Sequence, residues 1–334
     1  MTASGKYRSQ ELANKVIAFS ISYQRDNLLA RGMGLEHLRE LLLRLARLFL
    51  RCGADLAYAG YWKEADDNFT YDLLRLISAE QEDNSLGGPD TSLRIGKLYN
   101  HSAWPAYLDI TPRIEAQWIN CCRIIRITQQ QAGIADEDVV ADNKRHYRSA
   151  RTALNAAVTL SAMRRLSMHA IPIEMPDAPS ETAPRIDARV LLGGKADGYS
   201  GFVPGIFEEA LLTLREKCPL YILGGFGGAA GILAEAILKN DPPRPKELTA
   251  AWHIERNQAL VRLLESADRF GLPTDCRSTE ATLDELFPLL EEARKSPSAV
   301  LGTGLTDDET RELLETRSVA NAVHLVHRGL LAGP

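Results

Sequence analysis

No stretch of the 334 residues stays apolar for the ~18 positions that a bilayer-spanning helix needs, so no membrane span is expected. The opening segment MTASGKYRSQELANK has no apolar signal core; export is not expected, and a cytoplasmic location is. Positive charge is not in excess either. Lys and Arg number 39 against 44 Asp and Glu, a net charge of −5, which is unlike the balance of a nucleic-acid binder. The five cysteines (Cys52, Cys121, Cys122, Cys218, Cys276) show neither metal-ligand nor redox spacing, and read as buried thiols of a reducing compartment. The seven histidines are scattered singly, without HExxH or a Cys/His cluster, so neither a metal site nor a cofactor is expected. A Walker A loop is missing, and no GxGxxG follows the first strand, which points away from ordinary ATPases and dinucleotide-dependent dehydrogenases. Spacing alone builds no Ser/His/Asp or Cys/His arrangement.

What the chain does have is concentrated in Val190–Gly228, VLLGGKADGYSGFVPGIFEEALLTLREKCPLYILGGFGG. This reads as a buried strand, a glycine-rich loop, a helix carrying Glu208 and Glu209, a second buried strand at Leu220–Leu223, and a second glycine turn opening another helix. Two strand–glycine–helix units in tandem bring backbone amides and helix N-termini to one edge of a parallel sheet, where phosphates and nucleotides bind. Glycine tight connections without a ligand give the same pattern.

The preceding chain supplies the sheet. Lys15–Ser22 is an apolar run ending in Ser20 and Ser22, Glu36–Arg51 has leucines at helical spacing, and Ala54–Gly60 is the next strand, followed by a helix over Phe69–Glu80. This β-α-β-α order is that of an α/β fold with a doubly wound parallel sheet. Over Asp83–Gln117 the period fades, and the segment reads as an insertion lying over the sheet edge, with Cys122–Thr128 as the third strand. Asp142–Met163 reads as a long helix running into Arg164-Arg165, and Ala170–Pro184 as a proline-rich loop. The break Asp241-Pro-Pro-Arg-Pro divides a nucleotide-binding domain, residues 1–240, from a C-terminal helical region, residues 241–334, with helices over 248–270, 282–295 and 306–327.

Within this frame the candidate ligand-binding residues are Ser20, Ser22 and Gly60 at the ends of the first two strands, Gly193, Gly194, Lys195, Gly201 and Gly205 in the first glycine loop, and Gly225, Phe226 and Gly227 in the second. Lys195 and Arg164 are the cations placed near phosphate, although a solvated helix end suits Arg164 equally. Glu208 and Glu209 point about 100° apart on a helix, so at most one faces the site, where an acceptor-only carboxylate suits ribose hydroxyls or a developing sugar cation.

Through VIAFSIS, ADLAYAG, RVLLGGKADGYSGFVPGIFEEA and PLYILGGFGG, the chain resembles the SLOG superfamily of Rossmann-like domains over roughly residues 15–240. That superfamily includes cytokinin-activating LOG phosphoribohydrolases, DNA-processing Smf proteins and nucleotide-sensing modules of bacterial defence systems. The LOG loop reads P-G-G-x-G-T-x-x-E. Here Leu192 stands in place of the proline, the threonine is missing, and Pro204-Gly205-Ile206-Phe207-Glu208-Glu209 ends a longer loop. The resemblance implies that Arg164 or Arg165 occupies the position of the enzymes' catalytic arginine, and that Glu208, Glu209 and Arg164 would be the catalytic groups of an N-glycosidase. The wording is closer to SLOG modules attached to TIR or Sir2-type effectors in antiphage defence. That likeness implies a sensor of a nucleotide-derived second messenger such as ADP-ribose or cyclic ADP-ribose. A homo-oligomer and an effector domain or protein are then the expected partners, and nucleic acid is not.

Overall fold

The computed structural model describes residues 9–63, 65–85, 95–141, 149–173, 181–239 and 244–333. In chain order the elements are β1 (Val16–Ser22), α1 (Arg25–Leu29), α2 (Leu35–Arg51), β2 (Asp55–Tyr58), α3 (Phe69–Ser85), β3 (Leu98–Ala103), α4 (Pro112–Trp118), β4 (Cys122–Ile127), α5 (Ala150–Leu166), β5 (Ile171–Ile173), β6 (Glu181–Ala183), β7 (Ala188–Gly193), α6 (Gly205–Arg215), β8 (Leu220–Leu223) and α7 (Gly228–Leu238). Six helices follow: α8 (Ala250–Arg256), α9 (Gln258–Phe270), α10 (Thr279–Lys295), α11 (Pro297–Leu301), α12 (Asp307–Glu315) and α13 (Val319–Ala332).

Six strands form one parallel sheet in the order β4-β3-β2-β1-β7-β8, and β5 and β6, where the sequence reads as a loop over 170–184, pair antiparallel in a separate two-stranded sheet. From β1 the chain steps outward on one side to β2, β3 and β4, then returns to the other side as β7 and β8. The register pairs Phe19 with Tyr58 on one flank and Val190 on the other. Both faces are covered, which is why β1 and β7 are largely apolar, with Ser20, Ser22 and Arg189 their polar residues. On one face Ile17, Phe19 and Ile21 pack under α2, and Phe19 stacks on Phe49 with centroids 5.7 Å apart. On the other, Val16 and Ala18 meet Leu154, Ala157 and Val158 of α5.

The described residues of the segment 83–117 are not an insertion over the sheet edge, and residues 86–94 lie outside them. The described ones contain the end of α3, the whole of β3 and most of α4, and β3 lies inside the sheet between β2 and β4. The segment Cys122–Ile127 is therefore the fourth strand. The reason is chemical: LYNHSA places Asn100, His101 and Ser102 in a fully buried strand, so no apolar run announces it. Asn100 is satisfied internally, accepting from Trp62 Nε1 at 2.9 Å and donating to the Tyr58 and Gly60 carbonyls at 3.1 and 3.2 Å.

The helix expected over 142–163 begins at Ala150 among the described residues, capped by Ser149, and residues 142–148 lie outside them. The apolar pattern of 248–270 is broken at Asn257, whose side chain caps α9 by accepting from the Ala259 and Leu260 amides. That of 306–327 is divided into α12 and α13, the latter capped by Ser318. Residues 241–243 of the proline-rich break lie outside the described residues. Leu283, Leu286, Leu290 and Ala293 of α10 share a buried cluster with α6, α7 and β8. Leu325 and Val326 of α13 share one with α2. No helix among the described residues is long and apolar enough to cross a membrane.

Candidate ligand-binding site

The last register pair of β1 and β7, Ser22 with Gly193, marks the point where the strand order diverges. Doubly wound sheets bind ligands in that crevice, beyond the carboxyl ends of the strands. Gly193 and Gly194 lie at φ +62° and +95°, and a Cβ on Gly194 would come within 2.3 Å of Ile206. The amides that open the loop are already engaged. Gly194 N–H donates to the Ser22 carbonyl at 2.8 Å, Lys195 N–H to Ser22 Oγ at 3.1 Å, and Ala196 N–H to Gln24 Oε1 at 3.1 Å. The Lys195 side chain is exposed.

Further along, the loop becomes one wall of a cavity of about 1360 Å³ through Tyr199, Ser200 and Gly201. The cavity opens over the ends of β2 and β3. Gly60–Lys63 and His101–Ala106 form its sheet side, and α5 and α9 close it from above. The α5 face is built from Ala150, Ala153, Ala156 and Ala157, whose short side chains leave the space open. Trp62 and Trp104 are buried aromatics of the lining, and Tyr61 is an exposed one. Arg262 and Arg269 of α9 line the cavity, are exposed, and take no carboxylate partner among the described residues. Lys63 pairs with Asp109 at 3.4 Å.

His101 and Ser102 are both 3% exposed, yet His101 Nε2 and Ser102 Oγ find no hydrogen-bond partner among the described residues. Buried polar atoms without partners are rare because each forfeits its hydration. Burial, with the Arg189 charge nearby, holds the His101 pKa down at about 3, so the ring is neutral at physiological pH.

Beneath the loop lie two acid–base pairs. Arg164, at the end of α5, meets Glu208 with Nη1 2.5 Å from Oε2, and both side chains are largely buried. A Cβ on Gly205 would lie 2.6 Å from Arg164 Nη2, so a glycine there admits the guanidinium against the start of α6. Arg189 Nη1 sits 3.3 Å from Glu209 Oε1 and donates to Ser20 Oγ at 2.9 Å, while its Nε donates to Thr213 Oγ1 at 3.0 Å. The two neighbouring carboxylates thus point to different arginines, as a helical offset of about 100° requires.

The second glycine turn faces elsewhere. A Cβ on Gly225 would lie 2.1 Å from the Thr316 carbonyl oxygen, and Phe226 is 1% exposed. Gly227 abuts the Arg31 side chain, Gly228 lies against the Gly193 backbone, and Ala229 N–H donates to the Gly194 carbonyl at 3.0 Å. A smaller cavity of about 240 Å³ adjoins Gly228, lined also by Asn27, Arg31 and Asp197.

Of the residues expected from the sequence, Gly60 and Gly201 line the large cavity. Arg164, Gly205 and Glu208 meet directly under its loop, and Ser20 and Glu209 belong to the Arg189 network. Ser22, Gly193, Gly194 and Lys195 sit at the β1–β7 crevice, whereas Gly225, Phe226 and Gly227 pack against other parts of the chain. Sequence reasoning missed His101, Ser102, Trp62, Arg189, Arg262 and Arg269, while Trp104 stands, with Tyr99, as an aromatic that could stack on a base or pack in the core. The available signal was a run of polar residues, Asn100-His101-Ser102, just before Trp104-Pro105.

The model of the SLOG cluster2 family matches residues 11–313, most of the chain, and no curated protein matches it. The chain belongs to that family, a Rossmann-like SLOG group whose modules are nucleotide-related.

Proposed function

We propose that this SLOG cluster2 member is a binding module for a nucleotide-derived ligand of the ADP-ribose or cyclic ADP-ribose type, held in the cavity between the sheet, α5 and α9. Occupancy would control self-association or an effector in bacterial antiphage defence. The observation that carries this reading is the pair of buried, unpartnered polar atoms, His101 Nε2 and Ser102 Oγ, on residues that line a 1360 Å³ space. Small-molecule pockets combine apolar walls with a few placed polar groups, and this one is large enough for a dinucleotide-sized ligand. Trp62, Trp104 and Tyr61 supply faces for a base, and Arg262 and Arg269 supply charge for phosphate.

Binding without turnover is supported by the state of the carboxylates. An N-glycosidase needs an acid facing the sugar. Glu208 and Glu209 are instead paired to Arg164 and Arg189. The hydrolase alternative rests on the place of Glu208 at the end of the loop that walls the cavity, and requires it to leave Arg164. Calorimetric titration of the full chain with ADP-ribose and cyclic ADP-ribose isomers is expected to give saturable binding, lost in His101→Leu with the fold intact by circular dichroism. No heat with any of them would refute this form of the proposal. Chromatographic detection of free base from a nucleotide panel, abolished by Glu208→Gln, would favour the hydrolase.

A further inference from the structure

Away from the cavity, three side chains from separate parts of the chain converge near the start of the sheet. Glu11 lies in the turn before β1, Cys52 is the residue that ends α2, and His327 is in the last helix, α13. One ligand atom from each lies within 4.8 Å of the other two, the one such set among the described residues. Cys52 Sγ and His327 Nε2 are 3.6 Å apart.

We propose that Glu11, Cys52 and His327 form a three-ligand zinc site that fastens α13 to the beginning of the sheet. Zinc takes thiolate, imidazole and carboxylate ligands with tetrahedral geometry, at about 2.3 Å to sulfur and 2.0–2.1 Å to nitrogen. Those bond lengths and a tetrahedral angle put the sulfur and nitrogen about 3.6 Å apart, the separation found between Cys52 and His327. The carboxylate needs only a rotamer adjustment, because Glu11 is exposed. Its outer support is present too, since Ser9 Oγ donates to Glu11 Oε2 at 2.9 Å.

The two protein ends of the site are rigid. Leu12 N–H donates to the Cys52 carbonyl at 2.9 Å and Ser9 N–H to the Arg51 carbonyl at 2.9 Å, so the Glu11 turn is laid on the end of α2. His327 adjoins Val326, which is buried against α2. With zinc bound, a water would complete the fourth position. Binding takes Cys52 as the thiolate and releases its proton to solvent. Cysteine spacing could not announce this site because its ligands are about 40 and 275 residues apart in sequence. His327 also lies beyond the family match, which ends at residue 313.

The test is titration of the chelator-treated full chain with Co(II), followed by competition with Zn(II). One equivalent of Co(II) should develop a thiolate-to-metal charge-transfer band that zinc abolishes, and zinc should raise the melting temperature by about 2–4 °C. Cys52→Ser and His327→Gln should each lose the band and weaken uptake by about 100-fold, and Glu11→Gln by about 10-fold. Because Cys52 is buried and its replacement can perturb folding by itself, His327→Gln decides. A band of undiminished intensity in His327→Gln would show that the thiolate holds the metal without the imidazole, and no band in the unaltered chain would show only a thiol–imidazole contact; either result overturns the proposal.

Discussion

Two glycine-rich turns leave the neighbouring parallel strands β7 and β8, and both open onto helices, yet their glycines serve opposite ends. In the first, positive φ at Gly193, Gly194, Gly198 and Gly201 lets the loop swing outward and wall a cavity, and a Cβ on Gly201 would meet nothing closer than 3.6 Å. In the second, Gly224 and Gly225 lie so close to the Leu314 and Thr316 carbonyl oxygens that any side chain would collide with them. Gly198 and Gly201 of the first loop serve by conformation, Gly224 and Gly225 of the second by their lack of volume, and Gly194 and Gly228 by both. Glycine at a strand end therefore marks a demand on the backbone, and only the neighbours say whether that demand is for a ligand or for another part of the chain.

This contrast can be broken by substitution. The largest effect is expected where the outward loop rests on charge. Arg164→Met leaves Glu208 buried without its partner, and denaturant unfolding should show a loss of about 3–5 kcal/mol. Equal stability of the variant would mean that the pair does not hold the loop. Next, Gly225→Ala forces a methyl group into the Thr316 backbone and should lower stability by about 3 kcal/mol, while ligand affinity of the folded fraction stays unchanged. Altered affinity in that variant would move the second turn into the site.

A pH effect of intermediate size should come from the cavity's opposite wall. Because the His101 pKa is lowered to about 3 in the fold, the unfolded chain binds the extra proton as pH falls below about 6.5. Stability is then full above that value and is lost as pH falls toward 3, by about 2 kcal/mol between pH 7 and 5. His101→Gln should reduce the slope of stability against pH by one proton over that window. His253, also held below its usual value by burial, adds in the same direction. The smallest effect on stability is expected for Gly201→Ala, about 1 kcal/mol from backbone strain at φ +99°. On the proposed function, binding of ADP-ribose to this variant should nevertheless weaken about 10-fold, roughly 1.4 kcal/mol, because the added methyl alters the cavity wall.

Much of the fold was legible because parallel strands buried on both faces are mostly apolar, and VIAFSIS and ARVLLG carry their polar residues singly, at Ser20, Ser22 and Arg189. β3 was not, because its Asn100, His101 and Ser102 break that rule, and His101 and Ser102 are residues the cavity draws upon. The candidate site was half legible for the same reason. Gly60, Gly201, Arg164 and Glu208 stand out by residue type and position, whereas Arg189 reads as part of an ordinary strand until its partners from β1 and α6 are in place.

Local chemistry, then, determined the β-α alternation, the two glycine turns and the acid pair at the head of α6, since each follows from side-chain size, polarity and backbone freedom over a few residues. Tertiary structure alone decided which turn faces a cavity, which arginine neutralises which glutamate, and that Glu11, Cys52 and His327 meet. Those outcomes depend on distances between residues far apart along the chain, and a linear pattern carries no distance beyond its own helix or strand.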